Sequence, residues 1–389
     1  MKAIRLGILG IGNMGCTHAG FLQKGKCPDF TLAAIADNNP QRQAWAKETY
    51  GVPCFGSAEE LFDSGLIDAC IISVPHYDHT KYAIACMERG IHVMLEKPAG
   101  VYTKQVRQMN EAADRYPNVK FGMMFNQRTN CLYRKLRELV HSGNYGQLRR
   151  VNWMITNWYR TQAYYNSGNW RATWSGEGGG VLMNQAPHQL DLLQWICGMP
   201  RKVQAKMQFG AWHDIEVEDD VSAWMEFPNG ATGVFVTSTG DIRGTNRLEI
   251  QMDKAKLTVE DGKLLLEEYA VSDREFDAVN QNPYGKPETH VVPVETDGEN
   301  PQHVGVLNAW GKAILGQGEM VANGKEGING LMLANAMYLS QFLGKEVELP
   351  IDEELYWAEL QKRIAMSKRK NNTPVFVNDR GNYDFGSTK

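Results

Sequence analysis

The chain has 389 residues, more than one hydrophobic core usually accommodates, so two domains are expected. Hydrophobic residues make up 43% of it and charged residues 22%, with a formal net charge of −4, which speaks against a disordered protein. Because it contains no run of Lys or Arg and no apolar stretch of bilayer length, neither nucleic acid nor a membrane is expected as a partner.

The first 125 residues alternate short apolar runs with amphipathic stretches. The apolar runs predict buried strands at Ala3–Leu9, Thr31–Ala36, Ala69–Val74, His92–Leu95 and Val119–Met124. Helices are predicted between them at Met14–Lys24, Gln41–Tyr50, Thr80–Arg89 and Lys104–Tyr116. This alternation is typical of the α/β class and predicts a Rossmann domain, a doubly wound parallel sheet, over residues 1–125.

Residues 126–367 show strands followed by helices. The predicted strands are Arg150–Tyr159, Val203–Trp212, Val221–Phe227, Ala231–Thr239 and Leu248–Glu260. The predicted helices are Val181–Ile196, His303–Ile314, Gly327–Leu343 and Glu353–Met366. This order predicts a substrate-binding α+β domain with an open, largely antiparallel mixed sheet. We interpret polar Ser272–Asn300 as a surface excursion and residues 368–389 as a loosely ordered tail.

A glycine-rich segment between the first strand and the first helix predicts a dinucleotide site. Gly10, Gly12 and Gly15 fit G-x-G-x-x-G, with Asn13 and Met14 between the last two. Gly10 permits the tight turn, Gly12 lets the backbone approach a pyrophosphate, and Gly15 lets helix and strand pack closely. The free N–H groups of the helix would then bind the phosphates.

Asp37 ends the second predicted strand, where an acidic residue is expected to accept hydrogen bonds from the adenosine ribose. A carboxylate there repels a 2′-phosphate, and no Lys or Arg follows before Arg42, so NAD is predicted in preference to NADP. The alternatives are a solvated aspartate at a strand end and a glycine turn in an unrelated α/β protein.

Three further segments carry motifs whose order along the chain is informative: VPHYDH at 74–79, GIHVMLEKP at 90–98 and GGGVLMNQAPHQLD at 178–191. Together they resemble the Gfo/Idh/MocA family of oxidoreductases, over most of the chain from Ile4 to about Leu349. The resemblance implies a dehydrogenase acting on a CH–OH group, and a dimer or tetramer formed through the open sheet. It also implies a cofactor pocket that includes Pro75, His79, Glu96 and Lys97.

Lys97 and His188 are the predicted catalytic residues. Lys97 closes a buried strand, where a lysine is unusual unless it is paired or functional, and the alternative is an ion pair with Glu96 or another acidic neighbour. His188 can exchange protons near neutral pH, and the resemblance implies that it is the general base. Asp191, three residues later, either orients His188 or pairs with nearby structure.

The predicted substrate-binding residues are Asn184 and four residues of an aromatic segment. Asn184 stands where many sugar and inositol dehydrogenases of the family have aspartate, and an amide can position a hydroxyl group but cannot accept its proton. The segment 157–174 is rich in aromatic residues, Arg and Asn, which suits a carbohydrate lid, although an aromatic core segment is the alternative. Within it we expect contacts to substrate from Arg160, Tyr164, Trp170 and Arg171.

The sequence therefore predicts an NAD-dependent oxidoreductase acting on a sugar, glycoside or cyclic polyol, without a metal. A glycoside-cleaving enzyme with transient NAD redox cycling and an NAD-sensing regulator are the alternatives. The acidic segment 213–220 leaves a metal site open, although such runs are more often solvated. Gln127, Arg128 and His303 are interpreted as structural. Seven scattered cysteines without C-x-x-C spacing predict reduced thiols and a cytoplasmic location.

Overall fold

The computed structural model describes residues 3–368, so residues 369–389 of the predicted tail lie outside it. Its strands are β1 (Ile4–Leu9), β2 (Phe30–Ala36), β3 (Cys54–Phe55), β4 (Ala69–Ile72), β5 (His92–Leu95), β6 (Phe121–Met123), β7 (Leu148–Ile155), β8 (Lys202–Phe209), β9 (Glu218–Glu226), β10 (Thr232–Ser238), β11 (Asn246–Met252), β12 (Ala255–Glu260), β13 (Lys263–Tyr269), β14 (Thr289–Val292) and β15 (Val347–Glu348).

The α-helices of the described range are α1 (Asn13–Gln23), α2 (Pro40–Tyr50), α3 (Ala58–Asp63), α4 (His79–Glu88), α5 (Thr103–Arg115), α6 (Cys131–His141), α7 (Gln162–Asn166), α8 (Val181–Asn184), α9 (Pro187–Cys197), α10 (Asp273–Asp277), α11 (Gln302–Ile314), α12 (Gly327–Leu343) and α13 (Glu353–Met366). Between residues 3 and 368, no helix combines the length and the apolar character needed to cross a membrane.

The first sheet is parallel throughout and has the strand order β3-β2-β1-β4-β5-β6. The predicted doubly wound Rossmann sheet is thereby confirmed. The chain runs outward from β1 in one direction and from β4 in the other, so the strand order reverses between these two strands. Ligands of such sheets bind outside the carboxyl ends of the strands at this point, and the glycine-rich segment lies there.

The second sheet has nine strands in the order β14-β13-β12-β11-β7-β10-β9-β8-β15. The pair β7 and β10 is parallel and the other pairs are antiparallel, which confirms the predicted mixed sheet. Helix α12 packs on β8 and against α9 on one face. The other face is open: Met154 on β7 and Val234 on β10 are 48% and 42% exposed.

Three predicted elements differ from those observed. The single strand expected at Leu248–Glu260 is a hairpin of β11 and β12, whose turn at 253–254 contains neither Gly nor Pro. The excursion Ser272–Asn300 includes α10 and β14, which extends the sheet. The helix expected at Val181–Ile196 is split into α8 and α9, because Pro187 lacks an N–H and takes the first position of α9 instead.

The last helices of the chain return to the Rossmann sheet. Trp310 on α11 stacks on Phe30 with ring centroids 5.2 Å apart and donates a hydrogen bond to the Lys120 carbonyl at 3.0 Å. Asn335 on α12 donates to the carbonyl of Val101 and accepts from the N–H of Thr103, each at 3.1 Å. These contacts join the two halves of the molecule, and the domain boundary at residue 125 stays a prediction.

Candidate active site

The turn between β1 and α1 requires two of its glycines. Gly10 has φ +87°, and a Cβ atom there would lie 2.5 Å from the Ser73 carbonyl oxygen. A Cβ on Gly15 would lie 1.9 Å from the Gly10 oxygen. At Gly12 the nearest atom to such a Cβ is Arg42 Nη1, 3.8 Å away, so there is open space above the first turn of α1. This arrangement fits the predicted approach of a pyrophosphate.

The N-terminus of α1 has no side-chain cap, so its first N–H groups are available to a ligand. Asn13 and Met14 occupy its first turn. The buried carboxylate of Asp37 lies beside the turn, where it accepts hydrogen bonds from the N–H groups of Ile11 and Asn39, both at 2.9 Å. Arg42 comes within 3.7 Å of it. The residues present therefore fit a dinucleotide at the predicted position.

Lys97, which follows β5 of the first sheet, contacts the end of α8. Its Nζ donates a hydrogen bond at 2.8 Å to the carbonyl of Asn184, and the Lys97–Pro98 peptide bond is cis. Burial lowers the pKa of Lys97, against the opposing charges of Glu96 and Glu177. An ion pair between Lys97 and Glu96 is not formed: Glu96 instead accepts from His18 Nε2 at 2.7 Å.

Glu96 is a buried carboxylate next to Lys97 in sequence and is hydrogen-bonded to His18. Burial alone would raise the pKa of this carboxyl, but the hydrogen bond and charge of His18 bring it down to about 2. His303 lies against His18 with ring centroids 5.8 Å apart. The carboxylate therefore stays ionised at neutral pH and is a fixed negative charge next to Lys97.

His188 is the second residue of α9, directly after Pro187. Its Nδ1 is buried and has no hydrogen-bond partner in the described chain. Burial, followed by the positive charge of Lys97, holds the pKa of His188 well below its ordinary value, so the imidazole is neutral and able to accept a proton. Asp191 does not contact it, since both carboxylate oxygens of Asp191 accept from Arg128, at 2.8 and 2.7 Å.

Three of the predicted substrate-binding residues, Asn184, Tyr164 and Arg171, belong to one hydrogen-bonded group. The Asn184 amide donates to Glu177 and accepts from the Tyr164 hydroxyl at 3.2 Å. That hydroxyl also accepts from Arg171 at 3.0 Å and from Gln185 at 3.1 Å. The main-chain carbonyl of Asn184 also accepts a hydrogen bond from Lys97, so this group of residues contacts the predicted catalytic lysine directly.

Two aromatic contacts bring the other predicted substrate residues to the same place. The Trp170 ring lies 5.4 Å from that of His76, whose Nδ1 is 3.1 Å from the Glu177 carbonyl oxygen. The Arg160 guanidinium lies 5.2 Å from the centroid of the Tyr164 ring. The polar contacts argue against a purely apolar core segment under a loop.

Pro75 and His79 shape the loops at the carboxyl ends of β4 and β5. Pro75 precedes a short 3₁₀ helix at His76–Asp78. The two ring nitrogens of His79 face the carbonyl oxygens of Pro98 at 2.6 Å and Val74 at 2.8 Å. Burial lowers the pKa of His79, and these two acceptors oppose that effect. His79 thus ties the loop after β4 to the loop that carries Lys97.

Comparison with known families covers both halves of the chain. Residues 4–123 match the oxidoreductase family with an NAD-binding Rossmann fold, and residues 133–258 match the GFO/IDH/MocA C-terminal domain. These matches cover more than half of the chain. It belongs to the Gfo/Idh/MocA family.

Individual relatives are distant. Oxidoreductase P35 of Formosa agariphila is 29% identical over 230 residues, which are 58% of this chain and 70% of that protein. Inositol 2-dehydrogenase of Leifsonia xyli subsp. xyli is 26% identical over 200 residues, 51% of this chain and 54% of that protein. The WlbA dehydrogenase from Bordetella pertussis, solved with NADH and UDP-GlcNAcA, has a TM-score of 0.75 and 25% identity, covering 90% of this chain and 100% of that one.

This member of the Gfo/Idh/MocA family is an oxidoreductase with an NAD-binding Rossmann domain, and its cofactor is NAD. The predicted family, enzyme class and cofactor are confirmed. The roles of the individual site residues stay predictions.

Three residues of the site were not predicted from the sequence: His18, Glu177 and Gln185. Glu177 lies within a run of glycines, where a buried carboxylate is not foreseeable. Gln185 is buried, and its Oε1 has no partner in the described chain. His18 lies on the buried side of α1, where a histidine among small residues was the one available signal.

Carboxylates of the acidic segment 213–220 accept hydrogen bonds from the backbone of nearby loops. Asp219 accepts from the N–H groups of Ala211, Trp212 and His213, and Glu216 accepts from the N–H of Trp174 at 2.6 Å. Within residues 3–368 no group of three or more potential ligands could hold a metal ion. The carboxylates thus satisfy backbone N–H groups.

Glu218, at the start of β9, holds the glycine-rich turn before α8. It accepts from the N–H groups of Gly180 and Leu182 and from the Tyr338 hydroxyl at 2.6 Å. A Cβ on Gly180 would lie 1.9 Å from the Glu218 carbonyl oxygen, so only glycine fits here. Burial raises the pKa of Glu218 to about 7, despite these hydrogen bonds.

Glu218→Gln is expected to change how stability depends on pH. Between the unfolded value of about 4.3 and the folded value of about 7, the folded chain binds the extra proton, so its free energy of unfolding falls as pH rises through this window. The variant should lose this dependence, on the order of 2–3 kcal/mol between pH 5 and 8 in urea unfolding. Glu267→Gln, at a half-buried site on β13, is the matched control. Equal slopes for Glu218→Gln and the unmodified chain would contradict the raised pKa.

Proposed function

We propose that this chain oxidises a secondary alcohol of a sugar, glycoside or cyclic polyol with NAD. The observation that carries the proposal is the meeting of Lys97 and the neutral imidazole of His188 beside the hydrogen-bonded group around Asn184. The names of the relatives support the substrate class, since one acts on inositol and another is solved with a nucleotide sugar.

The chain's own residues supply binding and proton transfer. The turn Gly10–Gly15 and the N-terminus of α1 would hold the pyrophosphate, and Asp37 the ribose. NAD, when bound there, would supply the acceptor for the hydride of the carbinol carbon. His188 takes the proton of the hydroxyl group as that hydride leaves, and the Lys97 ammonium stabilises the negative charge that develops on the oxygen. The Asn184 amide, fixed by Tyr164 and Glu177, positions a neighbouring hydroxyl.

An anaerobic incubation with NAD or NADP and a panel of sugars, glycosides, inositols and nucleotide sugars tests the proposal. We expect net formation of NADH with one substrate class and a product two mass units lighter than the substrate. Cleavage of a glycosidic bond without net NADH would contradict the proposal in favour of redox-cycling cleavage. NADH binding without any turnover would favour a sensor.

We further propose a cytoplasmic homodimer or homotetramer that associates through the open face of the second sheet. The exposed Met154 and Val234 on neighbouring strands support a covered face. The seven cysteines are all free, which suits a reducing compartment. A monomer in gel filtration with light scattering would contradict the assembly.

A further inference from the structure

Arg160 carries a charge that no carboxylate of the described chain balances. Its guanidinium lies over two aromatic rings, 5.5 Å from the centroid of Trp158 and 5.2 Å from that of Tyr164. Its side-chain hydrogen bond, from Nη1, goes to the carbonyl of the preceding Tyr159 at 2.9 Å. Aromatic rings hold a guanidinium in place but do not neutralise it.

A second guanidinium lies against the same ring. Arg171 is 4.7 Å from the Tyr164 centroid, donates to the Tyr164 hydroxyl, and approaches Glu177 only to 3.9 Å. The Glu177 carboxylate is shared, because it also accepts from the N–H of Ala172 and from the Asn184 amide. Both guanidinium groups also lower the pKa of Lys97, so all three cations act on one region.

The backbone of Arg160 is held from two sides. Its N–H donates to the Thr239 carbonyl at 3.0 Å, and its own carbonyl accepts from His213 Nε2 at 2.8 Å. The other ring nitrogen of His213 is 3.1 Å from Asp219. The acidic segment thus fixes Arg160 through His213. Neighbouring positive charges repel one another. We therefore expect guanidinium groups to be held rigidly together where a bound anion balances their charge.

We propose that the substrate carries an oxyanion group, a carboxylate or a phosphate, which Arg160 and Arg171 bind while its reacting hydroxyl lies at Lys97 and His188. The planar guanidinium fork matches the geometry of both oxyanions. The inference rests on the proposed function, since it names the substrate class of the same site.

Equilibrium binding to the complex of the chain with NADH tests the inference without requiring turnover. Calorimetry compares D-glucose with D-glucuronate, D-galactose with D-galacturonate, D-glucose with D-glucose 6-phosphate, and UDP-glucose with UDP-glucuronate. We expect the anionic member of at least one sugar pair to bind about tenfold tighter or more, as charge-assisted hydrogen bonds predict. A preference for uronates identifies a carboxylate, and a preference for glucose 6-phosphate identifies a phosphate. No preference in any pair overturns the inference.

Arg160→Gln then assigns the preference to this residue. We expect the ratio of the two Kd values within the preferred pair to fall by about 10- to 100-fold. Arg115→Gln, at an exposed site at the end of α5, is the matched control and should leave the ratio unchanged. If Arg160→Gln does not fold, Arg160→Lys keeps the charge and removes the fork. A ratio unchanged in a folded Arg160 variant overturns the inference.

The two proposals can fail separately. Oxidation of neutral sugars with no preference for anions would overturn the oxyanion inference and leave the dehydrogenase intact. Tight binding of an anionic sugar that is never oxidised would support the oxyanion site and contradict the proposed function.

Discussion

Replacing Lys97 by alanine should lower kcat by about 10²- to 10⁴-fold, the usual contribution of a positioned group to proton transfer. The positive charge of its ammonium group acts on the predicted base His188, and the main-chain carbonyl of Asn184 holds that group at 2.8 Å. Without it, the oxygen that loses its proton lacks the ammonium group proposed to stabilise its negative charge. Initial rates at saturating NAD and substrate measure the change, and NADH binding reports whether the cofactor site is intact.

The same variant should change the pH dependence in a defined direction. The charge of Lys97 lowers the pKa of His188, so removing it raises that pKa. The acidic limb of kcat/KM, where a protonated His188 cannot act as base, therefore moves to higher pH. Lys263→Ala, at an exposed site on β13, is the control and should change neither quantity. Full turnover by folded Lys97→Ala would exclude the lysine from catalysis.

Asp191→Ala should lower the free energy of unfolding by about 3–5 kcal/mol, because it leaves a buried guanidinium without its bidentate partner. Arg128 and Asp191 are 2% and 1% exposed, and Glu326 alone would remain as a partner, at 2.7 Å. Urea unfolding followed by tryptophan fluorescence measures the loss.

A double variant distinguishes the effect of losing the ion pair from the effect of leaving the Arg128 charge without its partner Asp191. Arg128→Met combined with Asp191→Leu should recover most of the stability, since well-packed apolar residues often replace a buried ion pair at little cost. If Asp191→Ala instead keeps its stability and shifts the pH profile of kcat/KM, Asp191 orients His188 after all.

The sequence predicted best where the information is local. The helices α12 and α13 begin and end as expected, because each has an apolar repeat and is bounded by Gly344 or Asp352. The glycine turn and Asp37 lie together because a strand, a tight turn and a helix leave few alternatives. The hairpin of β11 and β12 was missed because its turn at 253–254 has no turn-forming glycine or proline.

The finer arrangement of the site depends on pairings between distant residues. Asp191 binds Arg128 across 63 positions of sequence, and Glu96 binds His18 across 78. No periodicity or spacing encodes such pairs, so both alternatives for Asp191 had to stay open. Asn184, Tyr164 and Arg171 could be predicted as substrate-binding residues from a family resemblance and from local composition. The structure joins these three residues by hydrogen bonds.

The contact between Trp310 and Phe30 bears on how the chain is synthesised. Ile8, Phe30 and Trp310 belong to one buried apolar cluster of the Rossmann half, so one wall of this cluster comes from α11, which follows the whole second sheet except β15 in sequence. While a ribosome produces the intervening residues, that surface of the nascent Rossmann sheet stays uncovered. The N-terminal portion therefore reaches its final packing only after α11 has emerged from the ribosome, and until then its uncovered apolar surface favours aggregation.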